Sequence, residues 1–110
     1  SASRLELTKQ VMQTIEFYKN DTIATIELNR EAMTILGDDT DGFVDIIRNV
    51  DTVDVAILLK AEADDITRVS LRIDVNVVAS HFGGGGHIRA AGCTINLPLE
   101  EAKQALIEVI

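Results

Sequence analysis

Four consecutive glycines, Gly83–Gly86, followed at once by His87, set the tightest limit on what this chain can fold into. Such a run loses more backbone entropy on folding than any other tetrapeptide, so a globular domain keeps one only where backbone must come very close to something. It sits in the string HFGGGGHIRAAGC, His81–Cys93. Apolar spacing predicts a helix before it, capped by Asp74 and carrying Val75, Val78, Ala79 and Phe82, and a short helix after it over His87–Ala91. A glycine link into a helix N-terminus leaves N–H groups unpaired beside the positive end of the dipole, which makes an anion cradle. A phosphate-bearing ligand is therefore expected at Gly83, Gly84, Gly85 and Gly86. No Gly-Lys-Ser/Thr follows, so this is not a Walker loop, and no strand precedes it, so it is not a dinucleotide fingerprint.

Charge narrows the ligand. The net charge is −8, which repels long polyanions and argues against a general nucleic-acid binder. Between Ile66 and Pro98, however, Asp74 is the one acidic residue against Arg68, Arg72 and Arg89, and both histidines fall there. A short anionic ligand meeting a local basic stretch fits this pattern. No apolar run approaches the ~18 residues of a membrane span. The single cysteine, Cys93, rules out an intrachain disulfide and a Cys-based zinc site, and suits a reducing cytoplasm. The polar opening Ser1-Ala2-Ser3 lacks a methionine and reads as the cut end of a longer protein or an added remnant.

The length, 110 residues, fits one domain. Residues 4–19 have helical spacing, with Leu5, Val11, Met12, Ile15 and Tyr18 on one side, so that 1–19 reads as an N-terminal, linker-derived helix. A strand follows at 22–28, then a short helix over Glu31–Leu36 ended by Gly37. The acidic 38–41 opens a helix to Val50 that buries Phe43, Val44, Ile46, Ile47 and Val50. The dense apolar run 53–60 predicts a central strand, and 67–73 alternates cleanly, with Val69, Leu71 and Ile73 opposed to Arg68, Ser70 and Arg72. A last strand is expected at 93–97, with Cys93 in the core, and a helix after Pro98. The fold class is α/β: a single domain with a mixed sheet of about four or five strands flanked by helices.

The candidate ligand contacts are Ser70, Arg72, Gly83, Gly84, Gly85, Gly86, His87 and Arg89. Arginine suits bidentate pairing with phosphate, and imidazole donates to it in either charge state. Arg68 is read as an ordinary exposed strand arginine, His81 as solvated, and Asp38, Asp39 and Asp41 as a solvated helix start. No catalytic or metal-binding constellation can be assembled from these residues.

The string FGGGGHIRAAGCTI, preceded by VSLR and the DVNVVASHF segment, resembles the C-terminal DHH-associated domain, subfamily 1, of DHH-type phosphoesterases. Within these it is most similar to the oligoribonuclease and pAp-phosphatase (nanoRNase) branch, over roughly residues 20–110. The resemblance implies a substrate-binding C-terminal domain of a cytoplasmic two-domain enzyme. Its substrates would be short RNA oligonucleotides or 3′-phosphoadenosine 5′-phosphate (pAp). Two Mn²⁺ ions would be held in an N-terminal DHH domain of the same polypeptide, with no cofactor in this one. The chain would then be inactive alone. The family's GGGH maps onto Gly84, Gly85, Gly86 and His87, and its S-x-R arginine onto Arg72 beside Ser70. A cyclic-di-AMP phosphodiesterase domain, a stand-alone nucleotide-binding regulatory module and a homodimer stay open. One departure is that Arg72, Ile73 and Asp74 are contiguous where the branch carries several more residues, which implies either a shorter loop or residues absent from this sequence.

Overall fold

The computed structural model describes residues 1–74 and 88–110, with Ile88 and Arg89 by their backbone alone. Five strands form one mixed sheet in the order β1-β2-β3-β4-β5. The described elements in chain order are α1 (Ala2–Met12), β1 (Glu16–Tyr18), β2 (Ile23–Leu28), α2 (Arg30–Leu36), α3 (Asp41–Arg48), β3 (Val55–Ala63), β4 (Ile66–Asp74), β5 (Ile88–Ile95) and α4 (Leu99–Val109). Only β2 and β3 run parallel, and α2 and α3 supply the crossover that a parallel pair needs. β1–β2, β3–β4 and β4–β5 are antiparallel.

Strand alternation divides the core into two layers. Ala24, Ile26, Leu28, Ala56 and Leu58 face α1, α2 and α3, joined by Leu7, Val11, Ala32, Leu36, Phe43, Val44 and Ile47. Ile23, Ile57, Leu59 and Val69 face Ala102 of α4, with Leu71, Ile95, Leu99 and Leu106 packed around them. The centre of the sheet is thus covered on both faces, as the unbroken apolar run of β3 requires. Ordinary local chemistry sets the helix starts. The Asn29 side chain accepts from the Ala32 amide at 2.9 Å and begins α2, and the Ser1 hydroxyl accepts from the Arg4 amide at 3.3 Å and begins α1.

Several expectations need correction. The first helix stops at Met12, and Glu16–Tyr18 is a strand paired with Ile23–Thr25. Ile15 and Tyr18 fit a helical period, but Thr14 ends it: its hydroxyl donates to the Val11 carbonyl at 2.7 Å and accepts the Glu27 amide at 2.9 Å, which draws the chain back onto the sheet. On α3, Phe43, Val44 and Ile47 are buried, whereas Ile46 and Val50 are exposed. Residues 88–91 are strand, not helix, because the alternating β4 offers them a complete ladder from Thr67↔Ile95 to Asp74↔Ile88. Cys93 lies on this strand opposite Val69 but is exposed; β5 is the edge of the sheet and α4 covers Ile95 and Leu97 instead. Asp74 is the last residue of β4, its amide donating to the Asp54 carbonyl at 2.8 Å. The helix expected to follow it, His81, the four glycines and His87 lie outside the described residues.

Candidate functional site

Ser70 and Arg72 occupy alternate positions of β4 and project to the α1–α3 side of the sheet, since Ser70 is opposite Leu58 and Arg72 opposite Ala56. Their neighbours on the other strand are small: Gly92 faces Ser70 and Ala90 faces Arg72. A methyl group built at Gly92 would stand 3.2 Å from the Val69 carbonyl oxygen, so β5 approaches β4 closely there. Both site residues are half-buried, near the β5 end of the sheet.

The Arg72 guanidinium donates to the carbonyl of its neighbour Leu71 at 3.0 Å. No carboxylate among the described residues forms an ion pair with it. Among the described residues that bond orients the side chain and engages one of its five donors. A guanidinium in this state suits a phosphate, which it meets two bonds at a time. Arg68, two positions beyond Ser70 on the same face, lies 3.7 Å from the Glu62 carboxylate. Arg89 takes the register position of Ile73, one step out of phase with Arg72, so the ladder does not place it beside the Ser70–Arg72 pair. Because the strand begins at Ile88, the helix dipole expected after the glycine run is not available there.

Sequence reasoning missed the most buried charge among the described residues. Lys103 on α4 is 3% exposed, and its ammonium donates to Glu27 of β2 at 2.8 Å, Glu100 at 2.9 Å and Glu16 of β1 at 3.2 Å. Burial alone would lower its pKa, but the bonds from Glu27, Glu100 and Glu16 outweigh that and hold it well above the usual lysine value. The Tyr18 hydroxyl adds a 2.8 Å bond to Glu16. The signal was present: Leu99, Ala102, Lys103 and Leu106 follow i, i+3, i+4, i+7, with a lysine inside an apolar stripe. This cluster serves the α4 side of the sheet, away from Ser70 and Arg72, and it is structural.

Elsewhere a hollow of about 190 Å³ lies between α1, β2 and α2. Its one charged lining residue is Glu27, already held by Lys103, so it does not suit an anion. Among the described residues no three His, Cys, Asp or Glu side chains come together to hold a metal, and no helix is long and apolar enough to cross a membrane.

The chain matches the DHHA1 domain family over residues 22–110 and belongs to it. It is a DHHA1 domain of the DHH-family phosphoesterases. It is 31% identical over 113 residues to the bifunctional oligoribonuclease and PAP phosphatase NrnA of Thermus thermophilus, covering 98% of this chain and 34% of that protein. It also resembles the crystal structure of an exopolyphosphatase-related protein from Bacteroides fragilis, with a TM-score of 0.71 and 30% identity, over 98% of this chain and 34% of that one. The chain therefore spans about a third of the length of these relatives.

Proposed function

We propose that this chain is the substrate-binding part of a cytoplasmic phosphoesterase that cleaves short oligoribonucleotides and removes a phosphate from pAp. Arg72 engages a phosphate through its guanidinium, Ser70 donates beside it, and the amides of Gly83–Gly86 with His87 complete the grip. Holding the reacting ester in one pose supplies much of the barrier reduction in phosphoryl chemistry. The described residues do not fit a metal, so the two Mn²⁺ ions that the family implies belong in this reading to a DHH domain elsewhere in the polypeptide.

The observation that carries the reading is the pairing of Ser70 with Arg72, whose guanidinium has no described ion-pair partner, on a face lined by Ala90 and Gly92. The likeness to an oligoribonuclease and PAP phosphatase supports the choice of substrate. The test is steady-state kinetics of the complete enzyme carrying Arg72→Ala or His87→Ala. Each variant is expected to lose about tenfold or more in kcat/KM for a dinucleotide and for pAp, as loss of a charged phosphate contact requires. Wild-type constants in both variants would contradict the assignment. Cyclic di-AMP in the same panel separates a cyclic-dinucleotide enzyme, and a parent reading frame with no DHH domain would point to a stand-alone sensor.

A further inference from the structure

On the face that carries Arg72, β4 presents a second guanidinium. Arg68 is in phase with Ser70 and Arg72, and register places Lys60 of β3 on one side of it and Thr94 of β5 on the other. Between the two arginines the sheet surface is low, because the residue opposite Ser70 is Gly92. From Arg68 to Arg72 the β4 and β5 positions on this face, Arg68, Ser70, Arg72, Ala90, Gly92 and Thr94, include no acidic residue, and Asp74 follows in phase beyond Arg72 at the end of β4. The result is a track with a cation at each end and a small-residue floor between.

The spacing selects a ligand. Four strand residues span about 13 Å, which is longer than one sugar–phosphate repeat. A ligand whose two phosphates flank a single nucleoside fills only the Arg72 end. A longer single strand laid along β4 brings a further phosphate to Arg68. What now holds Arg68 is Glu62 at 3.7 Å, and the two side chains are 59% and 44% exposed. A pair so open to water contributes little and yields to a phosphate that can accept two bonds.

Resting on the function proposed above, we infer that Arg68, assisted by Lys60, is a second phosphate contact that lets this domain distinguish oligonucleotides of three or more residues from pAp. Arg68 is a specificity residue; it stands away from the reacting phosphate at Arg72. Glu62 competes with the ligand for it.

The experiment is a binding titration of the chain, as wild type, Arg68→Gln and Glu62→Gln, with pAp and with the 5′-phosphorylated trinucleotide pApApA. Both substitutions are at exposed positions, and amide NMR spectra check that the fold is kept. Arg68→Gln is expected to weaken pApApA about tenfold, to leave pAp within about twofold, and to reduce the salt slope for pApApA by about 0.7. Glu62→Gln is expected to tighten pApApA by about two- to threefold with pAp unchanged. The inference is overturned if Arg68→Gln leaves pApApA unaffected, or weakens both ligands equally. If wild-type protein binds neither ligand, the proposed function fails and this inference with it; if it binds both and Arg68→Gln is silent, this inference alone fails.

Discussion

Lys103 Nζ lies 2.8 Å from the Glu27 carboxylate, and that contact ties the last helix to the second strand across 76 residues of sequence. Glu16 and Glu100 close on the same ammonium, so α4, β1 and β2 share one buried charge. α4 has little else to hold it: Ala102 is its one fully buried apolar residue, with Leu99 and Leu106 partly covered.

Lys103→Ala should therefore cost more than its place on a terminal helix suggests. Glu27, 17% exposed, loses its partner, whereas Glu16 and Glu100 can turn to water. The expected loss is about 2–3 kcal/mol, below the full range for a broken buried pair because two of the carboxylates are solvated. Lys103→Met, which keeps the apolar stem, should lose about half as much. Urea unfolding midpoints of the two variants against wild type check both values.

The same cluster fixes how stability responds to pH. The Tyr18 hydroxyl, and then Lys103, hold Glu16 below the ordinary 4.5; Lys103, and then Gln104, hold Glu100 below it. A carboxylate with a depressed folded pKa contributes stability that is present above its unfolded value and lost as pH falls through the folded one. Lys103 is shifted up because its three carboxylate partners outweigh burial, and Tyr18 is shifted up by burial first and by Glu16 second, so what they contribute is intact below 10.5 and 10.0 and is lost only as pH rises beyond. The cluster's contribution should be flat between about pH 5 and 10 and fall on the acid side. Thermal unfolding from pH 7 to 3 should show a shallower acid decline in Lys103→Met than in wild type.

The β1–β2 turn offers a separate test. Lys19, Asn20 and Asp21 have φ of 51, 58 and 63°, the left-handed region. Asparagine and aspartate tolerate it, and lysine less well. Lys19→Gly should raise stability slightly, the relief exceeding glycine's entropy cost, and Lys19→Ile should lower it by about 1 kcal/mol. Urea midpoints decide; an isoleucine as stable as lysine would show that the turn relaxes freely.

What could be read from the sequence followed periodicity. β3 and β4 stand out because one is a solid apolar run and the other alternates, and together they locate Ser70 and Arg72. Residues 88–91 did not reveal their state: Ile-Arg-Ala-Ala followed by glycine carries weak strand preference, and pairing with β4 decides it. The polar side of β2 is covered too, Thr25 buried and Glu27 half-buried, because α4 brings a lysine to meet the glutamate. Such a contact between distant residues leaves only a faint trace in local pattern, here the lysine within the α4 stripe.

The central claim is that the Ser70–Arg72 face of β4 binds phosphate. Its most direct test is to follow the backbone amide spectra of the chain during titration with pAp, for wild type and Arg72→Ala. Shifts are predicted at Ser70, Arg72, Ala90 and Gly92 and across residues 83–87, lost or reduced about tenfold in affinity in the variant. Saturable shifts confined to the α4 side around Lys103, or an identical titration in Arg72→Ala, would contradict it.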